Sequence, residues 1–205
     1  MKPGARNTVP CALIAESEVA GSYSDLISYI PKVRGELVAS SLDIRRDAPK
    51  YVVYQDGIFI KECTEIEAEW SEDHVAFIIG CSFSFESALA EAGLVARHVT
   101  MNRVVPMYRT SVPLCKAGIF NSGTYVVSMR PYKTSEVKAV RDITRGYTLT
   151  HGEPIAWGWE AIQELGIIDI DLPEWGAPPL MKDGRPFGLS NGDCEDIPVF
   201  WGCGE

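Results

Sequence analysis

The sequence V-A-F-I-I-G-C-S-F-S-F-E-S-A-L-A-E-A-G occupies residues 75–93 and predicts more of the fold than any other stretch. Its first five residues are apolar, which is typical of a strand buried on both faces inside a parallel or mixed sheet. Gly80 permits a sharp turn after that strand, and Ser82 or Ser84 can cap a following helix. The apolar residues of this helix recur on one face before Gly93 ends it: Phe85, Ala88, Leu89 and Ala92.

A tight turn between a strand and a helix N-terminus is a common ligand position in α/β proteins. Backbone amides and the helix dipole converge there and favour an anion, such as a carboxylate or a developing oxyanion. Cys81, Ser82 and Ser84 are expected to line this position. The same residues also suit a strand, turn and helix that serve the fold alone.

The composition favours a small-molecule ligand. The chain has 205 residues, a formal net charge of −9 and no basic run, which argues against nucleic acid or an anionic membrane as the main partner. No apolar segment is long enough to span a membrane, and the first residues lack the apolar core of a signal peptide. We therefore expect a cytoplasmic protein that acts on a small-molecule substrate.

Cysteines and histidines give no sign of a disulfide framework or a metal site. The six cysteines contain no C-x-x-C pair, so reduced thiols are expected. The histidines are too far apart to show a metal-ligand spacing, and neither a metal nor another cofactor is expected. These residues are Cys11, Cys63, Cys81, Cys115, Cys194, Cys203, His74, His98 and His151.

The remaining chain alternates strand and helix patterns. Asp56-Gly57 between two β-rich runs predicts a hairpin over residues 51–60. Helical segments are predicted at residues 24–30, 62–72, 136–145 and 157–165. Strands are predicted at residues 94–101, 125–131, 147–150 and 197–203, with an edge strand or loop at 104–110 and a long connection at 171–196. The strand at 199–203 ends in Gly-Cys like the strand at 77–81, so the two ends could face one pocket.

Five motifs in order resemble the D-glutamate cyclase or "putative hydro-lyase" family. They are IGCSFSFE at residues 79–86, VPMYRT at 105–110, VVSMRP at 126–131, HGEP at 151–154 and PVFWGCG at 198–204. The resemblance implies a three-layer αβα domain with a mixed sheet, joined to a smaller two-layer α/β domain. We place the αβα domain at residues 1–100 and 171–205 and the smaller α/β domain at residues 101–170.

The resemblance also implies a reaction. In this family D-glutamate loses water as its amine attacks its side-chain carboxyl, which gives 5-oxo-D-proline. Compared with full-length members the chain is expected to be shortened at both ends. Two alternatives therefore stay open: a dehydrating or lactonising cyclase for a larger, polyketide-like molecule of secondary metabolism, and a non-catalytic binding remnant. Apolar surface left by the shortened ends could make the protein a homodimer.

Ring closure requires a group that holds an anion, donors for an oxyanion, and an acid and a base. At positions that match the family motifs, Arg109 and Arg130 could clamp a carboxylate, although either could equally form a surface ion pair. Glu86 is better suited as a base than as an acid, and His151 has the intrinsic pKa of a general acid or base. A solvated glutamate and a structural histidine are the alternatives.

The other candidates at matching positions have weaker chemical grounds. Cys81 could be a nucleophile only if its thiol were activated, and Tyr108 could donate to a substrate oxygen or belong to the core. The predicted catalytic residues are Glu86, His151, Cys81 and Tyr108. The predicted substrate-binding residues are Ser82, Ser84, Arg109, Thr110, Arg130, Trp201 and Cys203.

Overall fold

The computed structural model describes residues 6–118, 121–190 and 195–204, which fall into two compact units. One unit contains residues 1–12 and 80–205, and the other contains residues 13–79. The predicted domain boundaries at residues 100/101 and 170/171 stay a prediction. Cys194 lies outside the described residues, and the five described cysteines are not in disulfides.

The unit of residues 13–79 contains two small antiparallel sheets. A three-stranded sheet has the order β2-β1-β5, and a hairpin joins β3 to β4. The elements are β1 (Leu13–Ser17), β2 (Leu26–Ser28), α1 (Gly35–Val38), β3 (Tyr51–Gln55), β4 (Ile58–Cys63) and β5 (Phe77–Ile79).

The predicted hairpin at residues 51–60 is confirmed. Asp56 and Gly57 have φ values of 53° and 78°, the left-handed pair that a two-residue type I′ turn requires. Gln55 pairs with Ile58 directly across this turn. The turn residues alone therefore specified the register at this end of the hairpin.

Three predictions in this unit are wrong. The strand at 75–79 was expected inside a parallel or mixed sheet, but β5 is an antiparallel edge strand and Phe77 is 45% exposed. Residues 24–30 contain β2, because they pair with β1, and do not form a helical turn. The acidic stretch 62–72 does not form the predicted helix. Its first two residues belong to β4, which ends at Cys63, and the rest forms turns and irregular structure.

The unit of residues 1–12 and 80–205 is built on a four-stranded antiparallel sheet of order β6-β7-β9-β8. Its elements are α2 (Glu86–Glu91), α3 (Arg97–Thr100), β6 (Met107–Pro113), β7 (Thr124–Lys133), α4 (Val137–Thr144), β8 (Ala156–Trp157), α5 (Glu160–Glu164) and β9 (Asp196–Cys203). The strands at 125–131 and 197–203, the edge strand near 104–110 and the helices near 136–145 and 157–165 are thus confirmed.

Apolar side chains cover both faces of this sheet. One cluster joins Phe85 and Leu89 near α2 to Val140 of α4 and Trp201 of β9. On the other face a cluster joins strand residues to α5 and its following loop: Tyr108, Val127, Met129, Phe200, Ala161, Leu165, Ile167 and Phe187. The fold is therefore mixed α/β with several sheets and few helices, and the three-layer arrangement stays a prediction.

Two predicted strands of this unit are wrong. Residues 94–101 contain the short helix α3, and residues 147–150 form a 3₁₀ turn. The turn ends at His151, whose φ of 80° is left-handed, so the chain reverses instead of extending. The predicted β-α-β unit around α4 does not form, because no strand follows this helix before β8.

Gly80 is required by close packing at the start of residues 80–85, the turn that precedes α2 and is called the opening turn below. A Cβ atom at this position would lie 1.8 Å from the carbonyl oxygen of Leu149. The chain leaves this unit after Ala12 and returns to it at Gly80. The Gly80 amide donates to the Ala12 carbonyl at 2.8 Å, so these two points of the chain are adjacent. Ser82 and Ser84 do not cap the helix, since neither start of the helical segment has a side-chain cap.

The outer edge of β6 has its amides occupied. The Met107 amide donates to Trp175, and the Ser111 amide donates to Leu165. Between them the Arg109 amide donates to the Glu174 carboxylate at 3.1 Å. None of the helices in the described ranges is long and apolar enough to cross a membrane.

Candidate functional site

Arg130 lies in the middle of β7 and is completely buried. Because side chains alternate along a strand, Ser128 and Arg130 share the face that also carries Trp201 of β9, whose backbone pairs with Ser128. This is the face covered by α2 and α4. A guanidinium without solvent contact requires polar partners here, because an unpaired buried charge is strongly destabilising.

The partners of Arg130 come from three parts of the chain. Its Nε and Nη2 donate to Glu86 Oε1 at 2.9 and 2.6 Å. Nη2 also donates to Ser82 Oγ at 3.0 Å, and Nη1 donates to Ser128 Oγ at 3.0 Å. The opening turn and helix α2 are thereby fixed to the centre of the sheet through one side chain.

Two aromatic rings enclose the guanidinium. Its Cζ atom lies 5.2 Å from the ring centroids of both Phe85 and Trp201, within the range of cation–π interactions. Both rings are fully buried. The Trp201 indole N–H is also buried and has no acceptor among the described residues. An unused hydrogen-bond donor therefore belongs to a ring that lies beside the Arg130 guanidinium.

Glu86 connects a second basic side chain, His98, to this group, which we call the Arg130 cluster and which then consists of Ser82, Phe85, Glu86, His98, Ser128, Arg130 and Trp201. Besides the two contacts from Arg130, its Oε1 lies 3.3 Å from His98 Nε2. Burial alone would raise the pKa of Glu86, but the hydrogen bond from His98 and the positive charge of Arg130 outweigh it and lower this pKa. No residue in the described ranges forms a hydrogen bond or ion pair with Oε2, so this oxygen of Glu86 is available to accept a proton.

His98 is a member of the cluster that sequence reasoning missed. It lies in α3 with its side chain 10% exposed, and its ring lies 6.3 Å from that of Phe83. The segment was predicted as a strand, which gives no reason to bring His98 towards α2. Ser128 was also missed, although its position two residues before Arg130 on a strand indicated a shared face.

Four of the predicted site residues thus come together: Ser82, Glu86, Arg130 and Trp201. Cys81 and Ser84 lie in the same turn with exposed side chains. His151 is buried, and its Nδ1 lies 2.6 Å from the Val9 carbonyl oxygen, the geometry of a structural histidine. Burial lowers its pKa, despite the carbonyls of Val9 and Gly80 beside it.

The other predicted residues lie elsewhere. Tyr108 and Thr110 are on the opposite face of β6, where the buried Tyr108 hydroxyl donates to the Ile170 carbonyl at 2.6 Å. Burial raises the Tyr108 pKa, as do nearby acidic residues. Arg109 is exposed beside Trp175, with its Cζ atom 5.6 Å from the ring, and Cys203 Sγ lies 3.5 Å from the sulfur of Met107. Arg109 and Arg130 therefore do not form one clamp.

Several groups of the cluster keep unused hydrogen-bonding capacity. The hydroxyls of Ser82 and Ser128 each accept from Arg130, which leaves their own O–H groups free to donate. These donors, a buried positive charge and the free Glu86 oxygen suit a reaction that develops an oxyanion and transfers protons. In the ranges that the structure describes, no three side chains suited to a metal lie together; the expectation of a cofactor-free site stays a prediction.

Comparisons with known proteins point to one family. The sequence pattern of a family described as D-glutamate cyclase matches residues 75–205. A "Putative hydro-lyase" of Schizosaccharomyces pombe is 41% identical over 199 residues, 97% of this chain and 60% of the relative. Proteins of the same name from Burkholderia lata and Bradyrhizobium diazoefficiens are 44% and 38% identical, over 83% and 97% of this chain and 61% and 64% of each relative. The chain spans about three fifths of the length of these curated relatives.

Proposed function

We infer that this chain, which belongs to the D-glutamate cyclase family, is a dehydrative cyclase that acts on a small amino dicarboxylate at the Arg130 cluster. The substrate class is that of D-glutamate, and the product class is that of 5-oxo-D-proline. The observation that carries this proposal is the convergence of Ser82, Ser128 and Glu86 on one fully buried arginine. This constellation serves charge development better than it serves the binding of an unreactive ligand.

The reaction forms one C–N bond and breaks one C–O bond. The substrate ammonium group loses two protons, its nitrogen attacks the side-chain carboxyl carbon, and both protons leave with one carboxyl oxygen as water. Glu86 Oε2 accepts these two protons from the nitrogen one after the other and passes each of them to the departing oxygen. This carboxylate is ionised at neutral pH, the state that accepts a proton, and its lowered pKa makes the protonated acid a better donor to the departing oxygen.

Ser82 and Ser128 stabilise the tetrahedral intermediate in this proposal. Their hydroxyl groups donate to the oxyanion, while Arg130 orients both oxygens and supplies positive charge behind them. The enclosing rings of Phe85 and Trp201 exclude water, which strengthens these interactions. Arg130 acts through the serines and Glu86, because its own donors are largely engaged.

The test follows ring closure by NMR with D-glutamate and with L-glutamate. We expect 5-oxoproline from the D isomer in excess of a control without enzyme. Glu86→Gln keeps the side-chain volume and removes the base, so kcat/KM should fall by about 10²–10⁴. Glu160→Gln is the matched control, because Glu160 also lies in the first turn of a helix, is exposed and has no ion pair within the described ranges.

Two results separate failure of the reaction from failure of the site. No product from folded wild-type protein with either isomer would refute the proposed reaction. Normal turnover by Glu86→Gln, with product formed by the wild type, would refute only the role of Glu86. Ser128→Ala provides a second variant, for which removal of an oxyanion donor should lower kcat by about 10²–10³.

A further inference from the structure

A small cavity lies beside β7 and next to α3. Its volume is about 20 Å³, enough for one particle of the size of water. Met129 and Pro131 of β7 form one wall, and the segment of residues 177–180 forms another. The remaining wall carries the basic residues Arg97, His98 and Arg103. No carboxylate is found among the described residues that line this cavity.

Two of these basic residues have carboxylate partners outside the cavity. Arg97 Nη2 donates to Asp196 Oδ2 at 2.6 Å, and its Nη1 donates to the Leu180 carbonyl at 3.3 Å. His98 Nε2 lies 3.3 Å from Glu86. Both side chains are thus already engaged with a carboxylate, and their positions are fixed by these contacts.

Arg103 differs from both. Its Nη2 donates to the Pro178 carbonyl at 3.2 Å, but its Nε–H is buried and has no acceptor among the residues that the structure describes. Arg103 forms no ion pair with any described residue, in a chain that has 28 acidic and 19 basic side chains. Arg103 directly follows Asn102, which has a left-handed backbone. The Arg103 amide donates to the His98 carbonyl at 2.8 Å, and this bond holds its backbone in place.

We propose that this cavity binds one monoatomic anion, such as chloride, with the Arg103 Nε–H as its donor. A water molecule would also satisfy the N–H group, but the described residues that line the cavity include three basic side chains and no carboxylate, which favours an anion. The volume of about 20 Å³ suits one small ion. This site is separate from the Ser82 and Ser128 hydroxyls and does not depend on the proposed reaction.

Thermal unfolding in bromide tests the site in solution. Bromide and acetate are compared at equal ionic strength for wild type, Arg103→Met and Arg34→Met. At a bromide concentration tenfold above Kd, the wild-type Tm should exceed its value in acetate by about 3–6 °C. Arg103→Met should lose this difference. Arg34→Met should retain it, because Arg34 is 77% exposed and lies in the other unit.

Anomalous diffraction from wild-type crystals in bromide gives a second measurement that no variant can compromise. The expected result is a bromide peak within hydrogen-bond distance of Arg103 Nε. An ordered water without anomalous signal would overturn the proposal. A peak without a bromide-specific shift in Tm would mean binding at crystal concentration only and would overturn it too, as would equal shifts in wild type and Arg103→Met.

Discussion

Removing the Glu86 carboxylate should destabilise the larger unit by leaving the charge of Arg130 buried without its partner. Arg130 has no solvent exposure, and the Glu86 side chain is 14% exposed. For a buried ion pair, loss of one partner costs about 3–5 kcal/mol, whereas exposed pairs contribute about 0–1 kcal/mol. We therefore expect Glu86→Ala to lower the free energy of unfolding by about 4 kcal/mol.

Urea unfolding followed by tryptophan fluorescence measures this change. Four of the five tryptophans lie in the unit that contains the cluster, and Trp201 contacts Arg130 directly. With a urea m-value of about 2 kcal/mol/M, the midpoint should fall by about 2 M. Lys138→Ala is the control, since its ion pair with Asp142 is exposed and should contribute less than about 0.5 kcal/mol.

A double-mutant cycle then separates the pair from the individual side chains. Arg130→Met removes the charge that Glu86→Ala leaves buried, so the double variant should be more stable than the sum of the single effects by about 1–3 kcal/mol. Additive effects would refute the argument that the two charges depend on each other. A Glu86→Ala midpoint within about 0.3 M of wild type would refute the burial argument itself.

Two further predictions concern the turn and the buried histidine. Gly80→Ala should lower the free energy of unfolding in urea by more than about 2 kcal/mol, because the added Cβ would lie 1.8 Å from the Leu149 carbonyl oxygen. Gly146→Ala is the control: a Cβ there would have no atom within 4 Å, so the free energy of unfolding should change by less than about 1 kcal/mol. Burial lowers the pKa of His151 in the folded state, whereas a histidine in the unfolded chain has a pKa of about 6.5. As the pH falls through about 6.5, the unfolded chain therefore binds more protons than the folded one, and the folded state loses stability. His151→Asn should flatten this dependence between pH 7 and 5, and an unchanged slope would contradict it.

The fold could be predicted from sequence where local chemistry decides it. Asp56-Gly57 specifies its own turn, and the long apolar runs around Arg130 and Trp201 form central strands, as predicted. The predictions failed where long-range pairing overrides a local pattern. The apolar residues 77–79 have the composition of a core strand, but no local feature shows that only β1 pairs with them.

The candidate site could be predicted in part for the same reason. Ser82 and Glu86 lie on a local turn, so their proximity follows from the chain itself. Arg130 reaches Glu86 and Ser82 across 44 and 48 positions. Arg109 lies on the same face of the sheet but on the edge strand β6 beside Trp175, and no local pattern in the sequence shows this difference. His98 was missed because a four-residue helix has too few residues to show a periodic pattern.

The hydrogen bond between the amide of Gly80 and the carbonyl of Ala12 has a consequence for how the chain can vary. The 67 residues that separate them belong to the other unit, yet they leave and return at a single junction of 2.8 Å. Because this hydrogen bond holds the two ends together, residues 13–79 close a loop of the larger unit. The entropic cost of closing a flexible loop grows by only about 0.6 kcal/mol for each doubling of its length. Insertions and deletions that preserve the fold of residues 13–79 should therefore cost the larger unit little in loop closure.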